Sequence, residues 1–201
     1  MAPEPLKTKW QDRDIWFTAG HRLGGPGYVE DIAGPHNERV EPEDLVWHLG
    51  SLTASGRLNL ASNLAGRITL ISALDDDTFV DAKGLQADGA VERLKKLAPN
   101  VRHVVTGRGF RRHRMAIQIP LGFGFAPVLL WSLPYTGAVD TAQWRPPIPS
   151  KSERLWLLHG QPSPVGEAVD VRNRQISVHR GCWDGRPVGI DDIRETIRNA
   201  S

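Results

Sequence analysis

Histidine and aspartate side chains stand in or beside several of the apolar runs of this chain. His48 and His159 lie in two of the runs, and three consecutive aspartates follow a third: Asp75, Asp76 and Asp77. Imidazole binds transition metals and exchanges protons near neutral pH, and carboxylate oxygens bind hard cations such as calcium or magnesium. The same residues also fit core histidines and a solvated acidic turn, so both interpretations stand at this point.

The loop after His159 has the position of an active-site loop without its usual groups. Four apolar residues, Leu155–Leu158, run into His159 and Gly160, which predicts a buried strand that ends at the carboxyl edge of a sheet. Proteins of the α/β class keep their sites at this edge. The loop offers only residues that are poor metal ligands, bases or nucleophiles on their own: Gln161, Pro162, Ser163 and Pro164.

The apolar runs predict a layered α/β domain with sheets at its centre. The predicted strands are residues 14–20, 45–50, 67–72, 101–105, 113–119, 128–131, 155–158 and 175–178. The predicted helices are residues 53–64, residues 90–97 and a final helix in which Ile190, Ile193 and Ile197 face the core. The strands at 101–105 and 113–119 flank Gly107 and Gly109, a pattern typical of a hairpin.

Residues 115–139 contain no charged side chain and are long enough to span a bilayer. Prolines and glycines interrupt them at Pro120, Gly122, Gly124, Pro127 and Pro134. These interruptions exclude a continuous membrane helix and favour two buried strands joined by a glycine-rich turn. We therefore expect no membrane association.

Length and composition favour one ordinary globular domain. The chain has 201 residues, of which 40% are hydrophobic and 24% charged, and its formal net charge is +2. We expect a single domain over residues 1–201, with residues 1–13 as an N-terminal extension. The lone Cys182 cannot form an internal disulfide, and the first residues lack the apolar segment of a signal peptide. The default expectation is a cytoplasmic protein.

The order of strands and glycine-ended loops resembles the calcineurin-like metallophosphoesterase family, in particular its compact bacterial and phage types. The resemblance covers most of the chain and rests on the residues that flank the predicted strands. The matching segments are Asp14–Thr18, Val46–Gly50, Gly66–Ile71, Leu129–Pro134, Leu158–Gly160, and Arg186–Val188 together with Ile193. The resemblance implies an α/β fold with a layered β-sandwich core flanked by helices, in the order α/β/β/α.

Members of this family hold two divalent metals, such as manganese, iron or zinc, with aspartate, asparagine and histidine side chains. The two ions lie about 3.5–4 Å apart, activate a water molecule and bind the phosphoryl oxygens. The resemblance places other residue types at the metal-ligand positions: Gly20, Arg22, Ser51, Leu74, Ser132, Gln161 and Ser163. In the first loop an ungapped match puts Gly20 at the aspartate and Arg22 at the histidine, whereas a one-residue deletion would align His21 with that histidine.

The resemblance therefore implies a degenerate member that has no catalytic residues and no metal cofactor, and that acts by binding or assembly. Leu74 is the change hardest to repair, because an apolar side chain cannot bind a cation and desolvates its neighbours. Arg22 adds a fixed positive charge where cations would lie. The resemblance also places His48 and His159 at framework positions beside the ligands, which favours core histidines with satisfied hydrogen bonds.

Other interpretations stay open. The residues left to a residual pocket are His21, His48, Asp75, Asp76 and His159. An active phosphoesterase could use a rebuilt site that holds one metal. Its ligands would be His21, Asp75, Asp76 and His159. A metal-free pocket could instead bind phosphate or a nucleotide through Arg22.

The partner of an assembly protein would be an unknown protein or a second copy of this chain. Nucleic acid is a further alternative, because one basic cluster could contact phosphates: Arg108, Arg111, Arg112 and Arg114. The near-neutral net charge favours a solvated hairpin tip for this cluster.

Overall fold

The computed structural model describes residues 14–21, 23, 29–50, 52, 57–72, 89–105, 117–135, 155–162 and 167–200. Several sequence-based predictions fall outside these residues. They are the N-terminal extension, the aspartates at 75–77, the arginine cluster at 108–114 and four of the metal-ligand positions: Arg22, Ser51, Leu74 and Ser163.

The described residues form ten strands. They are β1 (Ile15–Thr18), β2 (Leu45–Leu49), β3 (Arg67–Ile71), β4 (Val101–Val105), β5 (Ile117–Ile119), β6 (Val128–Trp131), β7 (Leu157–His159), β8 (Val169–Asp170), β9 (Gln175–Ser177) and β10 (Val188–Gly189). The helical elements are a π-helical turn (Val29–Ala33), α1 (Gly34–Asn37), a 3-10 helix (Leu58–Asn63), α2 (Ala90–Leu97), a second 3-10 helix (Arg180–Cys182) and α3 (Ile190–Asn199).

The strands build two five-stranded mixed sheets, so the fold is of the α/β class. The first sheet has the order β10-β1-β2-β3-β4, in which β1 to β4 are parallel and β10 is antiparallel. The second sheet has the order β5-β6-β7-β9-β8, in which β6, β7 and β9 are parallel. Its outer strands β5 and β8 are antiparallel to their neighbours.

Two hydrophobic cores cover the faces of the first sheet. The inner core joins side chains of both sheets, such as Phe17 and Leu49 from the first and Leu130 from the second. The outer core joins the opposite face of the first sheet to helices, and it includes Val46 and Leu94. The central strands of the first sheet are therefore apolar on both faces, which explains their nearly continuous apolar sequences.

The hairpin predicted around Gly107 and Gly109 is wrong. Strand β4 belongs to the first sheet, whereas β5 belongs to the second sheet and pairs there with β6. The chain passes from one sheet to the other between these strands, a long-range choice that local sequence does not encode. The two strands predicted within residues 115–139 are present and antiparallel, with positive-φ Gly122 and Gly124 between them. Strand β6 is buried as predicted, whereas Gln118 of the edge strand β5 is exposed.

The α-helix predicted at residues 53–64 is a 3-10 helix over its described part, Leu58–Asn63. Leu58, Ala61 and Leu64 are buried, which is the three-residue period of a 3-10 helix. The final helix is confirmed as α3, with Ile193 and Ile197 in the inner core. Among the described residues, no helix is long and apolar enough to span a membrane.

Asp44 links the N-terminal ends of β1, β2 and β3 through hydrogen bonds. Its carboxylate accepts hydrogen bonds from the Trp16 indole at 3.0 Å, the Glu41 backbone N–H at 2.9 Å and the Asp14 backbone N–H at 3.3 Å. Its carbonyl accepts a bond from the Arg67 backbone N–H at 2.7 Å. The Asp44 side chain is buried, and these hydrogen bonds offset the cost of burying its charge.

We expect Asp44→Ala to lower the free energy of unfolding by about 2 kcal/mol, because it removes a buried carboxylate that accepts hydrogen bonds from Trp16, Glu41 and Asp14. The adjacent Glu43→Ala is a matched control, since Glu43 is exposed and loses only a surface ion pair with Arg67. That change should cost less than about 1 kcal/mol. Denaturant unfolding of both variants measures the difference, and equal losses would contradict the role given to Asp44.

Candidate functional site

The parallel strands of both sheets end at one shared edge. Ala19, after β1, forms a parallel bridge with His179, after β9, and so joins the sheets there. Gly160, after β7, packs directly against Leu49 at the end of β2. A Cβ atom at position 160 would lie 1.6 Å from the Leu49 carbonyl oxygen and 3.1 Å from the Ala19 Cβ. Only glycine fits at this junction.

Backbone hydrogen bonds connect the loops that leave this edge. The Gly160 N–H donates to the Ser132 carbonyl at 3.3 Å, and the Gly50 N–H donates to the Ile71 carbonyl at 2.8 Å. The Ser177 hydroxyl donates to the Gln161 carbonyl at 2.6 Å. Gly20, Ser132 and Gln161 are the described metal-ligand positions of the resemblance, and each follows the carboxyl end of a parallel strand.

The imidazole of His179 packs over Gly20. A Cβ atom at position 20 would lie 2.1 Å from His179 Nε2 and 2.4 Å from Cδ2, and the φ angle of Gly20 is +77°. The His179 Nδ1 atom accepts a hydrogen bond from the Gly181 N–H at 3.1 Å, which fixes the ring orientation. The ring therefore fills the space that a side chain at position 20 would need.

Arg180 lies beside the same loop. Its Nε donates to the Gly20 carbonyl at 3.4 Å, and its Nη1 donates to the Asp31 carbonyl at 2.8 Å. Within the described part of the chain, no carboxylate forms an ion pair with this guanidinium. The site edge thus carries a positive charge that is held by neutral carbonyl groups.

Three buried histidines contact one another behind this edge, and we call them the histidine cluster: His21, His36 and His48. The ring of His21 stacks on that of His48, with centroids 4.7 Å apart and an interplanar angle of 29°. It meets the ring of His36 edge-to-face at 5.4 Å. The sequence indicated His21 and His48 separately and did not indicate His36, because His36 lies on α1 and meets His21 only through long-range packing.

The histidines are buried with few hydrogen bonds. His36 Nε2 donates to the Ala65 carbonyl at 3.0 Å. Among the described residues, no partner with hydrogen-bond geometry exists for either ring nitrogen of His48 or for the Nδ1 atoms of His21, His36 and His159. His48 and His159 are buried, as expected, but His48 lacks the expected hydrogen bonds at both ring nitrogens and His159 lacks one at Nδ1.

Burial lowers the pKa of every one of these imidazoles. For His48 burial is the largest cause and His36 adds to it, which lowers its pKa to about 3 although the nearby Gly50 backbone opposes the shift. Burial lowers the pKa of His159 to about 4, against the opposing charge of Asp170. The pKa of His21 is well below its usual value through burial and then through His48 and His36, and the pKa of His36 is lowered by burial.

The buried histidines are thus neutral at pH 7. In the described ranges, no group of three histidine, cysteine or acidic side chains has a geometry that could hold a metal ion. His21 lies in the histidine cluster, whereas the titratable neighbours of His159 are Asp170 and His179. Asp75 and Asp76, the other proposed ligands of a rebuilt metal site, are outside the described residues.

Comparisons with known proteins place the chain next to proteins without an assigned activity. No protein-family model matches it. It is 29% identical over 212 residues to the Gene 66 protein of Mycobacterium phage D29, covering 92% of this chain and 96% of that protein. A crystal structure of the protein of unknown function AQ665 from Aquifex aeolicus superposes with a TM-score of 0.61 at 17% identity, covering 92% of this chain and all of that chain. The second similarity shows the fold alone.

We expect acid to destabilise the protein through these imidazoles. Their pKa is near 6.5 in the unfolded chain and lower in the folded one, so the unfolded chain binds more protons below pH 6.5. The free energy of unfolding should fall as the pH drops from 6.5 towards 4, by up to about 1.4 kcal/mol per pH unit for each histidine.

Denaturant unfolding between pH 7.5 and 4.5 measures this dependence. The variant His48→Phe keeps an aromatic ring in the stack and removes one titrating group, so its stability should depend less steeply on pH. The comparison separates the histidine from the carboxylates, which titrate in both proteins. An identical slope in the two proteins would contradict the assignment.

Proposed function

We propose that this protein has a metallophosphoesterase-like α/β/β/α fold and acts by binding or assembly, without hydrolysing phosphate esters. The fold part is supported by the two mixed sheets, the inner core between them and the helices against the outer face of the first sheet. The parallel strands of both sheets bring their loops to one edge, which is where the resembling family keeps its metals. Whether metals can bind at this edge then depends on the side chains of those loops.

The filled space at Gly20 carries the proposal that no dinuclear centre forms. In the ungapped match this position holds the first aspartate ligand of the family, but the His179 ring lies 2.1 Å from the site of a Cβ atom. A carboxylate at position 20 would require His179 to leave. The change is therefore a replacement of the ligand by a packed ring rather than a simple loss of the ligand.

The remaining positions support the same conclusion through their chemistry. Ser132 is buried and offers a neutral hydroxyl, and Gln161 offers an amide. By sequence alone, Leu74 offers no donor atom and Arg22 offers a positive charge. This donor set does not fit two divalent ions such as manganese, iron or zinc, because such ions need several anionic or imidazole ligands. We derive no hydrolytic step through it.

Metal analysis and a phosphodiesterase assay test the proposal directly. The purified chain, incubated with manganese, iron or zinc, should bind no pair of ions and should not turn over bis-p-nitrophenyl phosphate. Two bound ions per chain with turnover would contradict it. An active enzyme with a rebuilt site would instead bind one ion, and the double variant Asp75→Asn, Asp76→Asn would abolish that binding.

Substitution at Gly20 tests the filled ligand position. Gly20→Asp should reduce the free energy of unfolding more than Gly124→Asp, because both glycines have positive φ but only Gly20 faces another side chain. The extra loss should be about 1–3 kcal/mol, the usual cost of overpacking. Adding His179→Ala should remove most of this extra loss in denaturant unfolding. Equal losses for the two aspartate variants would show that His179 does not close the position.

A second candidate function is a metal-free anion site, and Arg180 favours it. Its guanidinium lies at the site edge on the carbonyls of Gly20 and Asp31. Guanidinium groups bind phosphate oxygens well, and Arg22 belongs to the same loop in sequence. Such a site would take a phosphate or a nucleotide where the resembling family holds a metal-bound phosphoryl group.

Thermal-shift measurements at low salt test this candidate. A nucleotide or inorganic phosphate at 100 times its Kd should stabilise the protein by about 2.7 kcal/mol. Arg180→Gln should abolish the shift, whereas Arg186→Gln should retain it, since Arg186 forms a surface ion pair with Glu38. The absence of stabilisation by every phosphate ligand would eliminate the candidate and leave the assembly role, with a protein or a second copy as the partner.

A further inference from the structure

A group of buried polar side chains lies on the outer-core side of the first sheet, and we call it the polar pocket: Thr18, His21, His36 and His48. Thr18 is the pairing partner of His48 on the neighbouring strand. Thr18 and His48 lie on the same sheet face as Trp16 and Val46, and these two residues pack into the outer core. His21 and His36 complete the group through their ring contacts with the cluster. None of the four is more than 2% exposed.

Five polar atoms of this pocket have no hydrogen-bond partner among the described residues. They are Thr18 Oγ1, His21 Nδ1, His36 Nδ1, and Nδ1 and Nε2 of His48. Buried polar atoms in folded proteins nearly always have a partner, which is either a protein group or an ordered water molecule. A concentration of five such atoms on four adjoining side chains therefore indicates that something polar binds between them.

The chemistry of the atoms selects the kind of molecule. A neutral imidazole has one donor and one acceptor nitrogen, and a threonine hydroxyl does both. His36 donates its Nε2 hydrogen to Ala65, so its Nδ1 atom accepts. His48 contributes one donor and one acceptor. The bound molecule must therefore both donate and accept.

The charge and the size of a bound molecule further restrict what could occupy the polar pocket. The four side chains offer the donors and acceptors of neutral groups and no fixed charge, so a neutral molecule that both donates and accepts fits them better than an anion. A metal ion would need three converging ligands, which the described residues do not provide. Water is small, neutral and able to make two to four hydrogen bonds in a buried site.

We propose that ordered water molecules occupy the polar pocket and bridge Thr18 to the histidine cluster. The water would connect the end of β1 and the loop at His21 to β2 and to α1, through side chains that make no direct hydrogen bonds with one another. This inference does not depend on the proposed function, since the pocket lies on the helix-covered face of the sheet.

A crystal structure at a resolution that shows ordered solvent tests the proposal. We expect density between Thr18 Oγ1 and the cluster, with peaks at hydrogen-bond distance of about 2.7–3.2 Å from the unpaired atoms. A dry pocket would overturn the proposal. So would a peak about 2.0–2.1 Å from an imidazole nitrogen, because that is a metal distance.

Thr18→Val gives an independent test in solution, because it removes the hydroxyl and keeps the shape. If water binds the hydroxyl, the variant removes one of its partners, and the melting temperature should fall by about 2–4 °C. If the pocket is dry, the variant removes an unpaired buried group, and the melting temperature should rise. Thr69→Val is the matched control, since Thr69 lies on the neighbouring strand β3, is only partly buried and has no unpaired buried hydroxyl.

The comparison is made as a difference between the two variants. A larger fall for Thr18→Val than for Thr69→Val supports bound water. An equal change in both variants, or a rise for Thr18→Val alone, would overturn it. Both variants keep the β-branched side chain that suits a strand, so both are expected to fold.

Discussion

The close contact between residue 160 and the Leu49 carbonyl is the constraint on which the site edge depends. The oxygen lies so near Cα of Gly160 that a methyl group there would have to occupy the same space. The second sheet can approach the first at this point only because position 160 has no side chain. The same approach brings β9 near β1, so that Ala19 pairs with His179 and the two sheets share one carboxyl edge. The loops that leave this edge are thus held together by backbone packing and backbone hydrogen bonds.

His179 gives this edge its particular chemistry. The bridge to Ala19 fixes its backbone, and the Gly181 N–H fixes its ring, so that the imidazole covers Gly20. Arg180 then extends along the same loop to carbonyl groups at Gly20 and Asp31. An imidazole ring and a guanidinium therefore lie side by side on the loop that follows β1.

The sequence predicted elements where the signal is local and failed where it depends on distant pairing. The apolar runs around Phe17, Val46 and Leu158 identified buried strands correctly, and the isoleucines of α3 identified its core face. The prediction of a hairpin between β4 and β5 was wrong. Two apolar segments separated by glycines have the same sequence pattern whether the strands pair with each other or belong to different sheets. The histidine cluster was missed as a unit, since each histidine alone is a common core residue. Gly20, Ser132 and Gln161 follow strand ends, which the apolar runs predicted, whereas the approach of His179 to Gly20 has no signature in sequence.

The pairing of β10 with β1 has a consequence for how the chain folds during synthesis. These strands lie at opposite ends of the described chain, and β10 protects an edge of the first sheet that β1 would otherwise expose. Nascent β1 can pair with β2 soon after both leave the ribosome, but its other edge stays open until the segment after β9 has been translated. During that interval an unpaired apolar strand is available to other chains, as is common for proteins with long-range strand pairing.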